Sequence, residues 1–273
     1  MASKYFTSSG LFNDLQQEFY GKSVIVAGGA GGIGAALVKG FHALGAKVVI
    51  MDKSGEACDT LVASLETDKK KFVPKVIGAD LAVETTRNEA MAEACTVFGP
   101  PAAFVSTIGY DQRMDFSNIT QEHFELLLRI NLIAPVLAAR EVIKSMRQGG
   151  GGSICLFTSR HGSEIFAPNM TEYGAAKAGL DNGIRHMAVF TGEGNTPDNI
   201  IRVFGFCPGW IQTGNQRARF DDEVFEQARK KQLVPVLLQP EDMVMPVIFN
   251  LSRFAKSLSG TIIRYDAGDA QLG

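Results

Sequence analysis

A tyrosine and a lysine stand four positions apart, at Tyr173 and Lys177, in a stretch of helical character. Residues four apart lie on the same face of a helix, so the two side chains can approach each other. A free tyrosine has a pKa of about 10 and is a poor base near neutrality, but a nearby ammonium favours its phenolate form. The pair could therefore take a proton from an alcohol or return one to a carbonyl oxygen.

A glycine-rich turn near the N-terminus is a second chemical signal. Residues 24–34 read VIVAGGAGGIG, an apolar run that leads through a turn into a helical pattern. Glycines let a backbone approach phosphates closely, and a helix N-terminus offers free N–H groups and partial positive charge. A merely flexible turn is the alternative. The strand–turn–helix context favours a dinucleotide pyrophosphate site. The residues assigned to it are Gly28, Gly31, Gly32, Ile33 and Gly34.

Carboxylates follow the next two apolar runs. Asp52 comes directly after residues 47–51, where a carboxylate can accept hydrogen bonds from both ribose hydroxyls of NAD and would repel the extra phosphate of NADP. The neighbouring Lys53 is the one contrary signal. We therefore expect NAD as the cofactor, with NADP the less favoured alternative. Asp80 and Leu81 follow the third run and are expected to hold the adenine.

Short apolar runs alternate with amphipathic stretches along the chain. Because the runs are apolar nearly throughout, they predict parallel strands covered on both faces, joined by right-handed helical crossovers. The expected fold is a single α/β domain with a doubly wound parallel sheet of about seven strands. The predicted strands are Ser23–Ala27, Lys47–Met51, Lys75–Gly78, Ala103–Ser106, Ser153–Phe157, Ile201–Cys207 and Thr261–Tyr265. The predicted helices include Ile33–Leu44, Arg87–Phe98, His123–Arg147, Glu172–Phe190 and Glu241–Leu258.

The ends of the pattern define the domain organisation. Residues 1–20 are expected to form an N-terminal arm, in which Phe12, Leu15 and Phe19 make one face of a short docked helix. Residues 21–273 are expected to form one dinucleotide-binding and catalytic domain. The glycine tract at residues 149–152 is interpreted as a loop that leads into the fifth strand.

The bulk composition excludes several classes of partner. The formal net charge is −2, which gives no sign of a nucleic acid or an anionic membrane as partner. No apolar run approaches the roughly 20 residues that span a bilayer, and the first ten residues lack the apolar core of a secretion signal. A cytoplasmic protein is expected. None of the four cysteines has metal-ligand spacing, so we expect buried, reduced thiols and no metal site.

Taken together, these motifs resemble the short-chain dehydrogenase/reductase family over residues 22–268. The family's phosphate turn TGxxxGxG corresponds to residues 27–34, with alanine in place of the threonine, and its YxxxK pair to Tyr173 and Lys177. Its serine before the tyrosine matches Ser159, its helical asparagine matches Asn131, and its PGxxxT segment matches residues 208–213. The family's NNAG-like turn after the fourth strand is replaced here by residues 106–109, STIG, which lack the stiffening asparagines.

The resemblance implies a Rossmann-fold oxidoreductase that moves a hydride between a nicotinamide cofactor and a secondary alcohol or ketone. Tyr173 would be the acid/base, and Lys177 would lower its pKa and bind the nicotinamide ribose. Ser159 would hold the substrate oxygen, and Asn131 would hold a water of a proton relay. An NAD preference favours the oxidation direction. Further cofactor contacts are implied at Gly109, Tyr173, Pro208, Gly209, Ile211 and Thr213.

The segments expected around the substrate are polar and basic. They suggest a polar or anionic small molecule such as a sugar, polyol or hydroxy acid, although arginines in exposed loops are often only solvated. The candidate substrate residues are Arg113, Arg160, His161, Trp210 and Arg217. By family resemblance, the insert at residues 214–237 would be a substrate lid. Helices 123–147 and 172–190 would pair between subunits to give a homotetramer, with a dimer as the alternative.

Three other functions are compatible with parts of this pattern. An NADPH-dependent carbonyl reductase would use the same acid/base residues. A non-catalytic dinucleotide sensor is disfavoured because Ser159, Tyr173, Lys177 and Asn131 are all present. A nucleotide-sugar epimerase or dehydratase is disfavoured because the chain ends soon after the seventh strand.

Overall fold

The computed structural model describes residues 9–65 and 71–269, in which helices and strands alternate. The strands are β1 (Ser23–Ala27), β2 (Lys47–Asp52), β3 (Lys75–Gly78), β4 (Ala103–Ser106), β5 (Gly151–Phe157), β6 (Ile200–Pro208) and β7 (Ile262–Tyr265). The helices are α1 (Ser9–Phe19), α2 (Gly32–Ala43), α3 (Gly55–Ala63), α4 (Glu84–Ala94), α5 (Gln121–Leu128), α6 (Ala134–Gly149), α7 (Thr171–Glu193), α8 (Gly214–Arg217), α9 (Asp222–Lys230) and α10 (Val244–Leu251).

The seven strands form one sheet in the order β3-β2-β1-β4-β5-β6-β7. Every neighbouring pair is parallel; Val26, for example, lies opposite Ile50 of β2 and Val105 of β4. The predicted fold class is confirmed. The strand order reverses direction between β1 and β4, and in open parallel sheets such a switch point leaves a ligand crevice at the carboxyl ends of the strands.

Both faces of the sheet are covered, which explains why the strands are apolar at consecutive positions. On β1, Val24 and Val26 pack in a core with α1, α2, α3 and α10, whereas Ile25 and Ala27 pack in a second core with α4, α6 and α7. All four side chains are inaccessible to solvent. A charged substitution on β1 would therefore disrupt one of the two cores.

The described part of the predicted N-terminal arm forms α1, and residues 1–8 lie outside the described residues. Leu15 and Phe19 are buried in the first core, and Phe12 packs against it. The ring of Phe19 meets that of Phe41 edge-on, with centroids 5.3 Å apart. This helix therefore covers part of α2, whose N-terminus follows directly on the glycine turn.

Several predicted segments differ in the structure, among them the helix expected over Arg87–Phe98, which is α4 at Glu84–Ala94. The helix expected over His123–Arg147 is α5 and α6 joined by a π-helical turn at Arg129–Ile133, a local geometry that apolar periodicity does not reveal. The glycine tract at residues 149–152 is not simply a loop: Gly150 caps α6 with φ +89°, and the next two glycines belong to β5.

The last predicted helix, over residues 241–258, is also shorter in the structure. It consists of α10 flanked by short 3₁₀ turns at Pro240–Met243 and Arg253–Ala255. The buried Arg202 of β6 reaches this region and donates a hydrogen bond of 2.7 Å to the hydroxyl of Ser153. Its guanidinium also donates to the carbonyl oxygens of Asn250, Leu251, Ser252, Ala255 and Leu258. Among the described residues, no helix has the length and apolar character needed to cross a membrane.

Candidate active site

The glycine turn between β1 and α2 is too crowded for larger residues at several positions, of which Gly28 and Gly34 are examples. Gly28 has φ +76°, and a Cβ there would lie 2.7 Å from the Thr107 hydroxyl oxygen. A Cβ on Gly34 would lie 2.1 Å from the carbonyl oxygen of Gly28. Glycine at these positions lets the backbone of the turn fold close to the start of α2, where helical N–H groups are free to meet an anion.

A groove of about 650 Å³ runs from this turn along the carboxyl ends of β1, β2 and β3. At its edge the Asp52 carboxylate accepts hydrogen bonds from the backbone N–H groups of Ala30 (3.1 Å) and Ser54 (3.2 Å), which fix its position. The crowded glycines and this carboxylate fit a dinucleotide cofactor. The predicted cofactor residues that line the groove are Gly28, Gly31, Gly32, Ile33, Gly34, Asp52, Asp80, Leu81, Gly109 and Thr213.

The turn after β4, which lacks the family's asparagines, is held by a different residue. The Thr107 hydroxyl lies 3.2 Å from the carbonyl oxygen of Ala27 and 3.0 Å from that of Gly28, and it donates toward both. These contacts join the turn after β4 directly to the glycine turn. The family's asparagines are absent from this turn, as the sequence indicates, and the hydroxyl of Thr107 supplies contacts of its own.

Tyr173 and Lys177 occupy the first turns of α7 and face the crevice between the sheet and the loops. Lys177 is only 2% exposed, and its Nζ donates a hydrogen bond of 2.9 Å to the carbonyl oxygen of Phe157. The same Nζ lies 5.8 Å from the centroid of the Tyr173 ring. Burial lowers the pKa of Lys177 to about 8 and raises that of Tyr173 to about 12. A hydrogen bond from the Ser159 hydroxyl lowers the pKa of Tyr173 and so opposes the effect of burial.

Asn131 lies in the π-helical turn and is fully buried. Its side-chain NH₂ donates to the carbonyl oxygens of Tyr110 (2.8 Å) and Leu127 (3.0 Å), and its Oδ1 accepts from the Tyr110 N–H (3.0 Å). A Cβ on Gly109 would lie 3.6 Å from Asn131 Oδ1 and 3.7 Å from Lys177 Nζ. The asparagine therefore holds the backbone after β4 directly beside the lysine.

A second cavity, of about 250 Å³, continues from the groove over the tyrosine and lysine. It brings together most of the predicted site residues, from the starts of α2 and α7 and from the loops after β4, β5 and β6. Those lining it are Ile33, Gly109, Ser159, Tyr173, Lys177, Pro208, Gly209, Ile211 and Thr213, together with the candidate substrate residues Arg113, Arg160, His161 and Trp210. Arg217 is not part of this lining.

Most of the predicted basic character of the cavity is neutralised. Arg160 is 6% exposed and forms an ion pair with Asp269 near the C-terminus. Arg217 pairs with Asp222, outside the cavity. Burial, followed by the positive charges of Arg160 and Arg113, lowers the pKa of His161 and favours its neutral form.

The insert contacts the loop after β4 through one ion pair and one ring. Arg219 pairs with Asp111 at 2.5 Å, and the guanidinium of Arg113 lies 5.2 Å from the ring centroid of Phe220. Phe220 in turn packs edge-on against Trp210, with centroids 5.4 Å apart. Asp111 lines the cavity but was missed by the sequence analysis, because only its partner on the distant insert marks it.

Within residues 9–65 and 71–269, no group of histidine, cysteine and acidic side chains is placed to hold a metal ion. All four cysteines are free and buried. Burial raises the pKa of Cys207, which lies nearest the site, to about 12, so its thiol is neutral at physiological pH.

Comparison with known proteins gives consistent matches along the chain. A family model described as enoyl-(acyl carrier protein) reductase matches residues 28–269. A probable galactose dehydrogenase of Rhizobium meliloti is 31% identical over 264 residues, covering 95% of this chain and 98% of that protein. Most of the chain is thus comparable with whole proteins of similar length.

Two solved structures share the fold. A 7α-hydroxysteroid dehydrogenase complexed with NADH and 7-oxo glycochenodeoxycholic acid has a TM-score of 0.85 and 25% identity, covering 94% of this chain and 97% of that one. A short-chain dehydrogenase of Burkholderia cenocepacia in complex with NADP has a TM-score of 0.82 and 25% identity, covering 92% and 99%. With the glycine turn, the parallel sheet and the placement of Tyr173 beside Lys177, these matches lead to one conclusion. The chain belongs to the short-chain dehydrogenase/reductase family of nicotinamide-dependent oxidoreductases.

Proposed function

We propose that the protein is an NAD-dependent dehydrogenase that oxidises a secondary alcohol of a small, neutral, polyhydroxylated molecule such as a sugar or polyol. The observation that carries this proposal is the meeting of Ser159, Tyr173 and Lys177 in a cavity that is continuous with the dinucleotide groove. A hydroxyl bound in this cavity would lie between the acid/base group and the cofactor.

Each of these side chains has a role in the proposed reaction. A bound oxidised nicotinamide would supply the acceptor for the hydride that leaves the carbon carrying the hydroxyl. The phenolate of Tyr173 takes the hydroxyl proton as the carbonyl forms. The ammonium of Lys177 stabilises that phenolate, and the Ser159 hydroxyl donates to the substrate oxygen and orients it. Burial raises the pKa of Tyr173 to about 12 and the Ser159 hydrogen bond opposes that rise, so the phenolate depends on stabilisation by its neighbours.

Asp52 supports NAD over NADP. Both of its oxygens are oriented by backbone N–H groups, so the carboxylate is held where ribose hydroxyls would donate to it and an added phosphate would be repelled. Lys53 also lines the groove and is the feature that would favour NADP. An NADPH-dependent carbonyl reductase remains the second candidate on that observation.

The pairing of the arginines favours a neutral substrate over an anion. Arg160 in the cavity wall has a carboxylate partner, and Arg113, the other lining arginine, lies against the Phe220 ring. Arg217 and Arg219, outside the lining, are also paired, and Asp111 adds an acceptor to the cavity wall. Carboxylate acceptors and a neutral imidazole suit the hydroxyl groups of a sugar. The similarity to a galactose dehydrogenase supports this substrate class, whereas the similarity to a hydroxysteroid dehydrogenase makes an apolar alcohol the outcome to test against.

The proposal is tested with Tyr173→Phe and a panel of aldoses, polyols, hydroxy acids, a hydroxysteroid and an enoyl thioester. We expect NADH formation with a sugar or polyol, and a loss of kcat on the order of 10³-fold in the variant. The NAD dissociation constant should stay within about twofold, because removing one hydroxyl leaves the groove intact. Trp210 is the single tryptophan and lines the cavity, so its fluorescence can report binding.

The exposed Tyr20 provides a matched control, since Tyr20→Phe removes a hydroxyl far from the crevice. Unchanged turnover in Tyr173→Phe would remove that residue from the mechanism. A clear preference for the hydroxysteroid would refute the neutral-sugar proposal. Turnover of the enoyl thioester alone would assign the reduction of a carbon–carbon double bond instead of the oxidation of an alcohol.

We also propose that the insert at residues 214–237 is a lid and that the protein assembles as a homotetramer, with a dimer as the alternative. The contact between Arg219 and Asp111 supports the lid. Exposed apolar side chains at Ile133, Val189 and Phe190 support burial between subunits. Light scattering that gives a stable monomer would contradict the assembly.

A further inference from the structure

A separate polar cavity of about 270 Å³ lies behind the acid/base pair, at the β7 edge of the sheet. It shares no lining residue with the cavity of about 250 Å³ over Tyr173 and Lys177, which we call the substrate cavity. We call this separate cavity the rear cavity. Its polar lining residues are Ser163, Glu164, Asp181, Arg185, Thr261 and Arg264, with Cys207 beside them.

Asp181 is the buried acid of this cavity, and the proposed reaction has not used it. It stands four residues after Lys177 on α7 and is 6% exposed. Its Oδ1 is buried and has no hydrogen-bond partner among the described residues. A buried, unpartnered carboxylate oxygen is costly, so its presence needs an explanation.

The backbone of Gly162 separates this carboxylate from the catalytic side. A Cβ on Gly162 would lie 3.2 Å from Asp181 Oδ2 and 3.0 Å from the carbonyl carbon of Lys177. Thr158, which lines the substrate cavity, is also close to Asp181: its hydroxyl lowers the pKa of that carboxyl yet completes no hydrogen bond of normal geometry. A single layer of backbone and side chain therefore lies between the rear cavity and the acid/base pair.

We propose that Asp181 is a positioning residue for the proposed dehydrogenase reaction: its carboxylate, open to the rear cavity, favours the ammonium form of Lys177. The inference rests on the proposed function only because that function makes Tyr173 the catalytic partner of Lys177. Opposite charges one helical turn apart attract strongly in a buried setting, where water screens them poorly.

The electrostatics of the two groups agree with this geometry. Burial is the largest influence on Lys177 and lowers its pKa to about 8, and the negative charge of Asp181 opposes that decrease. Burial likewise raises the pKa of Asp181, and the positive charge of Lys177 is one of the influences that lower it. Without the carboxylate, the lysine would lose its proton at a lower pH.

The other charged groups around the rear cavity are engaged or neutral. Glu164, from the loop after β5, pairs with Arg264 of β7 at 3.1 Å. Arg185, on the next turn of α7, donates to the backbone carbonyl of Asp181 at 3.0 Å. From β6, the Cys207 thiol has a pKa of about 12 and stays protonated.

On the catalytic side, the groups that face Lys177 are neutral, and the one other carboxyl group in this region lies near Tyr173. The Asn131 amide approaches from the π-helical turn and the phenol of Tyr173 from α7. Asp111, from the loop after β4, raises the pKa of Tyr173 and is paired with Arg219. Asp181 is thus the carboxylate that acts on the lysine from behind, without touching the substrate cavity.

The proposal is tested by removing the charge in Asp181→Asn and measuring the titration of Lys177 directly. Trace acetylation with acetic anhydride across a pH series, read by mass spectrometry, gives the pH at which Lys177 becomes reactive, with the exposed Lys144 as internal reference. We expect this midpoint to fall by on the order of one pH unit from about 8. The alkaline limb of the pH profile of kcat should move to lower pH as well.

Three variants control this experiment. Asp181→Glu keeps the charge, and the rear cavity has room for one added methylene, so both midpoints should stay near those of the wild type. Glu193→Gln removes an exposed carboxylate from the same helix about 24 Å along its axis from Lys177, and should change neither. If Asp181→Asn does not fold, Asp181→Ser removes the same charge with a smaller side chain.

An unchanged acetylation midpoint for Lys177 in a folded, neutral variant at position 181 overturns the proposal. An equal shift in Glu193→Gln overturns it too, because the effect would then be one of net charge. If the wild type oxidises no alcohol in the panel, the proposed function fails, while the acetylation result still decides whether Asp181 controls the charge of Lys177.

Discussion

The dinucleotide groove and the substrate cavity are adjacent parts of one crevice, yet they are held in different ways. The groove is shaped by backbone: at Gly34, a single added Cβ would lie 2.1 Å from a carbonyl oxygen. The cavity is shaped by charged side chains that pair across the chain. Arg160 and Asp269 are 109 positions apart, and Arg219 and Asp111 are 108 apart.

This difference predicts different sensitivities. A wall of backbone cannot yield without moving a strand or a helix, so the groove should tolerate almost no added volume. The partly exposed pair between Arg219 and Asp111 can open and close at little cost, because such pairs contribute only about 0–1 kcal/mol each. The groove therefore suits a constant ligand, and the cavity would suit the lid proposed at residues 214–237.

The largest effect should come from added volume in the groove. Gly34→Ala should weaken NAD binding on the order of 100-fold or more, about 2.7 kcal/mol, since its methyl group would meet the Gly28 carbonyl. Gly55→Ala, at the start of α3, is the matched control because nothing lies within 4 Å of its added Cβ. NAD titration by fluorescence measures both. Binding within threefold of wild type in Gly34→Ala would break the comparison.

Lys177, where groove and cavity meet, should show a conflict between activity and stability. Its pKa falls from 10.5 to about 8, so holding it charged at pH 7 costs the fold about 3 kcal/mol. Replacement with methionine also removes the hydrogen bond to the Phe157 carbonyl, worth about 1 kcal/mol. Lys177→Met should therefore raise the free energy of unfolding by about 2 kcal/mol at pH 7 while abolishing turnover.

The stability difference between Lys177→Met and the wild type should decrease as the pH rises. Below about pH 8 the native lysine is charged and the cost is present in full; between about 8 and 10.5 the unfolded chain binds more protons than the native one, so wild-type stability recovers as pH rises. Denaturant unfolding at pH 7 and pH 10 measures the difference between the two proteins. A variant that is less stable at pH 7 would contradict the prediction.

Cofactor choice should change by a smaller amount. Asp52→Ser removes the charge that repels the NADP phosphate, and should lower the ratio of kcat/KM for NAD over NADP on the order of tenfold. Asp59→Asn, on the exposed face of α3, removes an equal charge without lining the groove. Initial rates with both cofactors measure the ratio. An equal change in the two variants would assign the effect to net charge.

The smallest effect is expected at the proposed lid. Arg219→Gln breaks the ion pair with Asp111 and should raise substrate KM by up to about fivefold with little change in kcat. Wild-type KM should rise with added salt, and that of the variant should not. Arg229→Gln is the control, since its partner Glu226 lies within α9. A salt response retained in Arg219→Gln would show that this pair does not hold the insert.

The comparison also explains what the sequence predicted. The groove depends on neighbours in sequence, so a strand, a glycine turn and a helix start can be read together, and Asp52 follows from the strand that ends before it. Tyr173 and Lys177 lie one helical turn apart, and that spacing was enough to place them together. The strand boundaries agree with prediction to within two residues for the same reason: each apolar run is local.

The basic surface of the cavity was harder to predict. Arginines at positions 160 and 217 look available in the sequence, but their carboxylate partners become apparent only once the chain has folded. Thr107 and Asp181 belong to no motif in the sequence. Each acts through surroundings that form only when distant segments meet in the fold. The π-helical turn around Asn131 is likewise invisible to a period of 3.6 residues.

The guanidinium of Arg202 determines whether α10 can unfold separately from the rest of the domain. It is saturated by carbonyl oxygens in and after α10, so this C-terminal segment cannot detach alone without leaving a buried cation unsolvated. α10 also packs on α2, where a Cβ on Gly40 would lie 2.4 Å from Val244. Amides of α10 should therefore exchange with solvent only when the whole domain unfolds, and cofactor bound at the distant start of α2 should slow that exchange.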